Sequence, residues 1–363
     1  MDMVKSFDVG VIEGNFKEGA VPLTEEAYGS VGNFRKDLLD SMVHAGIRGD
    51  FKKGWEISEN LEKTKHLYSD NNNRRAAFNR GWYLLRQGKL HEGHVLFDNG
   101  RHENVFGNKH IGTKAGIYRL GNDDGTVLLY LEGGIGDQIN GYRWAFDLEK
   151  RGHKVFVSCS PELCNIFSDK FITVEHQAVL SVYHNWWVPA MSAISILEYE
   201  YEDIKGTPYI ERTSEAVPGR IGVRWSGNPK FEHEQHRLFP PELMFDAVKG
   251  FDCVSLQRDK DEELRPEWME TTGLSSWKNT RLSISKCELV ITSCTSVAHM
   301  AAAMGVETWI VVPVLSYYVW AQPGNKSPFY DSVTLYRQKE YGDWTYPFEQ
   351  IRKDLEKRKW LKK

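Results

Sequence analysis

The stretch that decides the fold runs from Val127 to Val157 and reads VLLYLEGGIGDQINGYRWAFDLEKRGHKVFV. It begins with a short apolar run typical of a buried strand, continues through a glycine turn into a helical pattern, and ends in a second apolar run. Strand, helix and strand in this order predict two parallel strands joined by a crossover helix. The chain from Val127 onward is therefore predicted to be α/β.

A second α/β unit is predicted further along the chain. Its predicted strands are four short apolar runs that alternate with helical patterns: IGVRW (221–225), CVSL (253–256), LVIT (289–292) and TWIVV (308–312). Two units with separate first strands predict two facing Rossmann-like domains, with a ligand in the cleft outside the carboxyl ends of the strands. We place these domains at residues 122–217 and 218–363, joined near Val217-Pro218-Gly219.

Residues 1–121 are predicted to be helical, because no alternating strand pattern stands out in them. Two stretches, Leu39–Leu61 and Asn79–Gly100, share one design in which Gly49 or Gly88 separates two helical patterns. Each is predicted to be a helical hairpin. Because the two stretches are similar, this segment resembles tetratricopeptide repeats. Such repeats either pack on the rest of the protein or bind a partner, and the sequence leaves both roles open.

Composition excludes several classes of function. The chain has 46 Lys and Arg against 50 Asp and Glu, which gives no overall electrostatic argument for nucleic acid or an anionic membrane. Its five cysteines form no CxxC pair, which fits a reducing, cytoplasmic setting, and no apolar run is long enough to predict a membrane span. The HEGH (91–94) and HEQH (233–236) segments lack the HExxH spacing, so we expect no metal site.

The glycine turn before the first crossover helix, Gly133-Gly134-Ile135-Gly136-Asp137, can bring the backbone and a helix N-terminus close to a ligand. It lacks the Lys-Ser/Thr of a phosphate-binding Walker loop and the full GxGxxG spacing, which disfavours nucleotide hydrolysis and ordinary dinucleotide binding. Two interpretations of Asp137 are open: it caps the helix, or it is a cleft carboxylate that accepts a proton from an attacking hydroxyl.

A second strand-to-helix junction lies between Thr292 and Gly305 and reads TSCTSVAHMAAAMG. Its hydroxyl side chains and the backbone N–H groups of the helix start can converge on phosphate oxygens, while the alanines let the helix lie close to a sheet. Ser and Thr are also ordinary helix caps, and a single histidine such as His299 is more often a packed core residue.

These two junctions, together with IGVRWSGNPKFEHEQHRLFP (221–240), resemble the bacterial heptosyltransferase-type glycosyltransferases of the GT-B fold, especially relatives linked to tetratricopeptide repeats. The resemblance implies that Asp137 is the catalytic base and that Arg237 faces the donor diphosphate. It places Thr295, Ser296, Val297 and His299 around the donor pyrophosphate. Our further candidates are Ser226, Asn228 and Gln257 for donor binding, and Gly134, Gly136 and Gln138 for an acceptor-side loop.

The expected function is transfer of a sugar from a nucleotide-diphosphate sugar to the hydroxyl of a glycan, a protein or a modified nucleic-acid base. The resemblance implies inversion at the anomeric carbon, and neither a cofactor nor a metal is expected. We expect the helical hairpins to pack on the acceptor-side domain and to affect acceptor choice. Two alternatives stay open: a DNA-base (hydroxymethylpyrimidine) glycosyltransferase, and a repeat-based adaptor with an inactive transferase domain.

Overall fold

The computed structural model describes residues 31–67, 69–103, 107, 111–123, 125–228, 234–258, 260–358 and 360. The chain starts with two helical hairpins, formed by α1 (Val31–Arg48) with α2 (Phe51–Lys63) and by α3 (Asp70–Arg86) with α4 (Leu90–Phe97). Gly49 and Gly88 lie in the two turns with φ of 86° and 87°, a conformation that favours glycine. Both predicted hairpins are present, whereas their identity as tetratricopeptide repeats stays a prediction, and residues 1–30 lie outside the described residues.

The first sheet has five parallel strands in the order β1-β5-β2-β3-β4. Its strands are β1 (Gly116–Ile117), β2 (Thr126–Tyr130), β3 (Lys154–Cys159), β4 (Ile172–Glu175) and β5 (Trp186–Pro189). Its helices are α5 (Ile135–Gly141), α6 (Arg143–Lys150), α7 (Pro161–Phe167) and α8 (Ala193–Ile196). The strand order reverses at β2, so the glycine turn after β2 lies at the topological switch point.

The expectation of a strand-free stretch up to residue 121 was wrong. Strand β1 lies at Gly116–Ile117 and pairs with β5, so the first sheet begins before residue 122. Two residues are too short to produce a periodic pattern, and their pairing partner lies about 70 residues away in the chain.

The second sheet repeats this design, with the order β10-β9-β8-β6-β7 and parallel pairing throughout. Its strands are β6 (Arg220–Arg224), β7 (Asp252–Ser255), β8 (Leu289–Ser293), β9 (Glu307–Val312) and β10 (Val333–Arg337). Its helices are α9 (Glu234–Arg237), α10 (Pro241–Val248), α11 (Trp277–Ser285), α12 (Ser296–Ala303) and α13 (Thr345–Glu356). All four apolar runs predicted as strands are strands, and the order reverses at β6.

The hairpins and the segment that follows α4 are fixed to the first domain by polar contacts. Arg101 donates to both carboxylate oxygens of Glu132 at 2.6 and 2.8 Å, and the Glu132 side chain is fully buried. Glu200 accepts hydrogen bonds from the first two backbone N–H groups of α4, those of Leu90 and His91. One continuous apolar core also extends from the hairpins through the first sheet to α12. In the described part of the chain, no helix combines the length and apolarity that crossing a membrane requires.

The two sheets are brought together by α5 and α12, whose first turns cross at Gly136. A Cβ added at Gly136 would lie 2.9 Å from Cδ2 of His299 and 3.4 Å from Cα of Ser296. The first distance is shorter than real Cβ contacts, so only glycine allows the helices to approach this closely. The carboxyl ends of the central strands β2 and β8 therefore face the same space.

We expect Gly136→Ala to lower the free energy of unfolding by about 1–3 kcal/mol, because the added methyl group overpacks the helix crossing. Chemical denaturation measures this change. Gly273→Ala is the matched control, since no heavy atom beyond its chain neighbours would lie within 4 Å of its new Cβ. Equal stability of the two variants would contradict the close-approach role of Gly136.

Candidate active site

A cavity of about 570 Å³ lies between the carboxyl ends of the two sheets and is also bordered by the helical hairpins. The first domain contributes the turn at 134–137, the second contributes the start of α12 and the loop at 313–317, and the hairpins contribute Ile47 and Trp82. This volume is typical of small-molecule sites.

Asp137 occupies the first-domain wall of this cavity. Its Oδ2 accepts a hydrogen bond from the backbone N–H of Gly134 at 2.9 Å, which caps α5. Its Oδ1 accepts one from the hydroxyl of Tyr317 at 2.6 Å. Burial raises the pKa of the Asp137 carboxyl above its usual value of 3.8, against the opposing effects of Tyr317, the Gly134 N–H and Arg237. The same carboxylate thus caps a helix and lines the cavity.

Three arginines of the second domain line the cavity: Arg224, Arg237 and Arg258. Arg224 ends strand β6, and its guanidinium donates to the carbonyls of Ser226 at 2.9 Å and Leu256 at 3.2 Å. Arg237, in α9, donates to the carbonyl of Cys294 immediately before α12. Guanidinium groups beside the N-terminus of a helix form a site suited to an anion with several oxygens.

The beginning of α12 brings further predicted residues to the cavity. Thr295 is the N-cap in extended conformation, and both Thr295 and Ser296 line the cavity, as does His299. The ring of His299 stacks on Trp320 with centroids 5.2 Å apart, and its Nδ1 lies 3.0 Å from the Tyr330 hydroxyl. Burial, followed by the charges of Arg143 and Arg237, lowers the pKa of His299 to about 3. His299 is therefore neutral near pH 7, and positive charge at this wall comes from the arginines.

Only some of the other predicted residues line the cavity. Gly134, Gly136 and Asn228 line the cavity, whereas the structure places Ser226, Gln257, Val297 and Gln138 outside the lining. Ser226 donates to Asp261 at 2.6 Å and accepts from Gln257 at 2.7 Å. Val297 is 1% exposed in the apolar core, and Gln138 donates to Ser160 at 2.8 Å. Ser226 and Gln257 therefore bond within the loops of the second domain, whereas Val297 and Gln138 pack or bond from helices α12 and α5.

Several lining residues were missed by the sequence analysis. Arg224 and Arg258 end or follow strands β6 and β7, so their position at the carboxyl ends of parallel strands could have indicated them. Trp82 and Tyr317 carry no such local signal, because they reach the cavity only through contacts distant in the chain. Of the HEQH histidines, His236 lines the cavity and His233 lies outside the described residues. Within the described ranges, no three His, Cys, Asp or Glu side chains group as metal ligands.

We expect Tyr317→Phe to raise the pKa of Asp137 further, because the lost hydrogen bond stabilises the ionised carboxylate. The titration measured by carbon-13 NMR on aspartate-labelled protein should move to higher pH, with Asp137→Asn identifying the resonance. Tyr341→Phe serves as the control, since Tyr341 also lines the cavity. A titration that stays in place or moves to lower pH in Tyr317→Phe would refute this coupling.

Comparisons with known proteins place the chain near glycosyltransferases of known structure at low identity. No family model matches it, and no curated protein does. It is similar to the iron-containing dodecameric glycosyltransferase TibC of enterotoxigenic Escherichia coli, with 11% identity over 63% of this chain and 67% of that chain and a TM-score of 0.44. It is also similar to a family 9 glycosyl transferase of Veillonella parvula, with 11% identity over 66% of this chain and 98% of that chain and a TM-score of 0.46. The E. coli heptosyltransferase WaaC has 12% identity over 64% of this chain and 99% of that chain, with a TM-score of 0.41. Identities this low leave the activity to be argued from the side chains of the cavity.

Proposed function

We propose that this protein is a glycosyltransferase that moves a sugar from a nucleotide-diphosphate sugar to an acceptor hydroxyl. The observation that carries the proposal is the distribution of charge around the cavity. A partly buried carboxylate, Asp137, comes from the first domain, and three guanidiniums, those of Arg224, Arg237 and Arg258, come from the second. A base and an anion site within one cavity are what glycosyl transfer requires.

The reaction follows from this arrangement. Asp137 takes the proton of the acceptor hydroxyl while the hydroxyl oxygen forms a bond to the anomeric carbon. The bond from that carbon to the diphosphate oxygen breaks, and the nucleoside diphosphate leaves with the electron pair. The arginines and the N-terminus of α12 stabilise the charge that develops on it.

The raised pKa of Asp137 supports its role as a base. Burial makes the carboxylate a stronger proton acceptor than a solvated aspartate. Base and leaving-group site come from different domains, so attack and departure on opposite faces of the sugar are the proposed course. That course inverts the anomeric carbon. The guanidiniums supply the positive charge, and we propose that no metal takes part.

We expect Asp137→Asn to reduce turnover by a factor on the order of a hundred or more, while affinity for the nucleoside diphosphate is retained. Turnover is measured as nucleoside diphosphate release from UDP-, ADP- and GDP-sugars, and affinity by calorimetry. Asp50→Asn is the matched control, because Asp50 caps α2 by accepting from the N–H of Lys53 and does not line the cavity. Wild-type turnover in Asp137→Asn would leave Asp137 with capping alone.

We expect Arg237→Ala and Arg258→Ala each to weaken nucleoside diphosphate binding by about 1.5–3 kcal/mol, since each removes charge-assisted hydrogen bonds to phosphate oxygens. Calorimetry at two salt concentrations should show a reduced salt dependence as well. Arg352→Ala is the control, because Arg352 pairs with Glu356 on α13 away from the cavity. Unchanged affinity in both cavity variants would argue against a diphosphate at this wall.

A further inference from the structure

The helical hairpins reach the immediate neighbourhood of the proposed base. Trp82, on α3, lines the cavity, and its ring centroid lies 6.1 Å from that of Tyr317. The Tyr317 hydroxyl in turn donates to Oδ1 of Asp137 at 2.6 Å. Burial and the charge of Asp137 raise the pKa of the Tyr317 hydroxyl, so it stays protonated as a donor. One aromatic side chain therefore separates the indole of Trp82 from the base.

The hairpin surface beside Asp137 is held in place by packing. The Trp82 ring contacts Phe97 with centroids 5.1 Å apart, and Ile47, on α1, is 4% exposed. A Cβ added at Gly49, just after α1, would lie 2.9 Å from Cγ1 of Val314. The end of α1 thus packs directly on the loop at 313–317. A fixed aromatic surface binds a ligand with less loss of conformational entropy than a mobile one.

The cavity residues from the hairpins and from the loop at 313–317 carry no charge. They are Ile47, Trp82, Pro313, Val314, Leu315, Ser316 and Tyr317. Among the described residues, the charged lining groups of the first domain are acidic, namely Asp137 and Glu162, and the arginines belong to the second domain. An acceptor at this wall therefore meets an aromatic face, aliphatic side chains and a carboxylate, without a guanidinium contributed by the wall itself.

We infer that Ile47, Trp82 and the loop at 313–317 form the acceptor subsite, and that this subsite takes an uncharged sugar residue. This inference rests on the proposed function and names its acceptor class. The C–H face of a sugar ring packs on the indole, and a ring hydroxyl reaches Asp137.

The chemistry of the wall favours a sugar over the other acceptors. A nucleic acid would bring phosphates, which protein sites neutralise with Lys or Arg, and neither the described hairpins nor the loop at 313–317 contributes a Lys or Arg to the cavity lining. A peptide bound in extended form commonly pairs with an exposed strand edge, whereas the wall consists of helices and a loop. A sugar ring combines an apolar face with hydroxyls at its edge, which matches an indole next to a carboxylate.

The experiment measures acceptor kinetics with p-nitrophenyl glycosides and the nucleotide sugar that the wild-type protein turns over best. The glycosides should accelerate nucleoside diphosphate release, and Trp82→Ala should raise the KM for the glycoside about tenfold, with Trp82→Phe intermediate. Trp55→Ala is the matched control, since Trp55 lies on α2, contacts Arg80 and does not line the cavity. Its KM for the glycoside should equal that of the wild type.

Circular dichroism and the thermal midpoint check that each variant folds. Should Trp82→Ala unfold, Leu315→Ala on the facing loop takes its place with the same expected rise in KM. An unchanged glycoside KM in the folded Trp82 variants, or acceleration by phosphorylated acceptors or Ser/Thr peptides but not by neutral glycosides, overturns the inference and leaves the transferase proposal intact. The reverse result, Trp82-dependent glycoside binding by NMR without turnover of any nucleotide sugar, overturns the transferase proposal and keeps the sugar subsite.

Discussion

The structure depends on one close contact, the crossing of α5 and α12 at Gly136. Because Gly136 has no Cβ, the ring of His299 and the backbone of Ser296 approach the first turn of α5 directly. Helix α5 follows β2 and helix α12 follows β8, so the crossing brings the carboxyl ends of these central strands together. Asp137 then lies within the electrostatic reach of Arg237, which lowers its pKa against the effect of burial. A wider separation would leave a carboxylate and an anion site in two unconnected clefts.

The hairpins are an integral wall of this arrangement. The buried Arg101–Glu132 pair would leave an uncompensated carboxylate if the hairpin region moved away, because Glu132 has no exposed side-chain surface. A second contact runs from the first domain to the hairpins, because Glu200 accepts hydrogen bonds from the backbone N–H groups at the start of α4. These contacts place Trp82 beside Tyr317, and the cavity consequently has three walls where two facing domains would give two.

Burial shifts the pKa values of the titratable groups in the cavity, and neighbouring groups either add to this shift or oppose it. At His299, burial and neighbouring arginines act in the same direction, so its pKa falls to about 3 and the imidazole is neutral. At Asp137, burial raises the pKa while Tyr317, a backbone N–H and Arg237 oppose it. The Asp137 carboxylate is therefore more basic than a solvated aspartate, and its hydrogen bonds and Arg237 oppose the effect of burial. Because His299 is uncharged, the positive charge of the cavity comes from the arginines of the second domain.

The sequence alone determined the two α/β units, because the apolar runs of β2, β3 and β6 to β9 are visible in short windows. It also determined the hairpins through their glycines, and it placed Asp137 and Thr295, which line the cavity, at strand-to-helix junctions. The tertiary structure alone decided the rest. β1 is a strand only because β5 lies beside it, and Tyr317 meets Asp137 across 180 positions of chain. Ser226 and Gln257, which the sequence predicted to bind the donor, hydrogen-bond to each other and lie outside the cavity lining. Periodicity is local, whereas the partner that a side chain meets is fixed by the packing of distant segments.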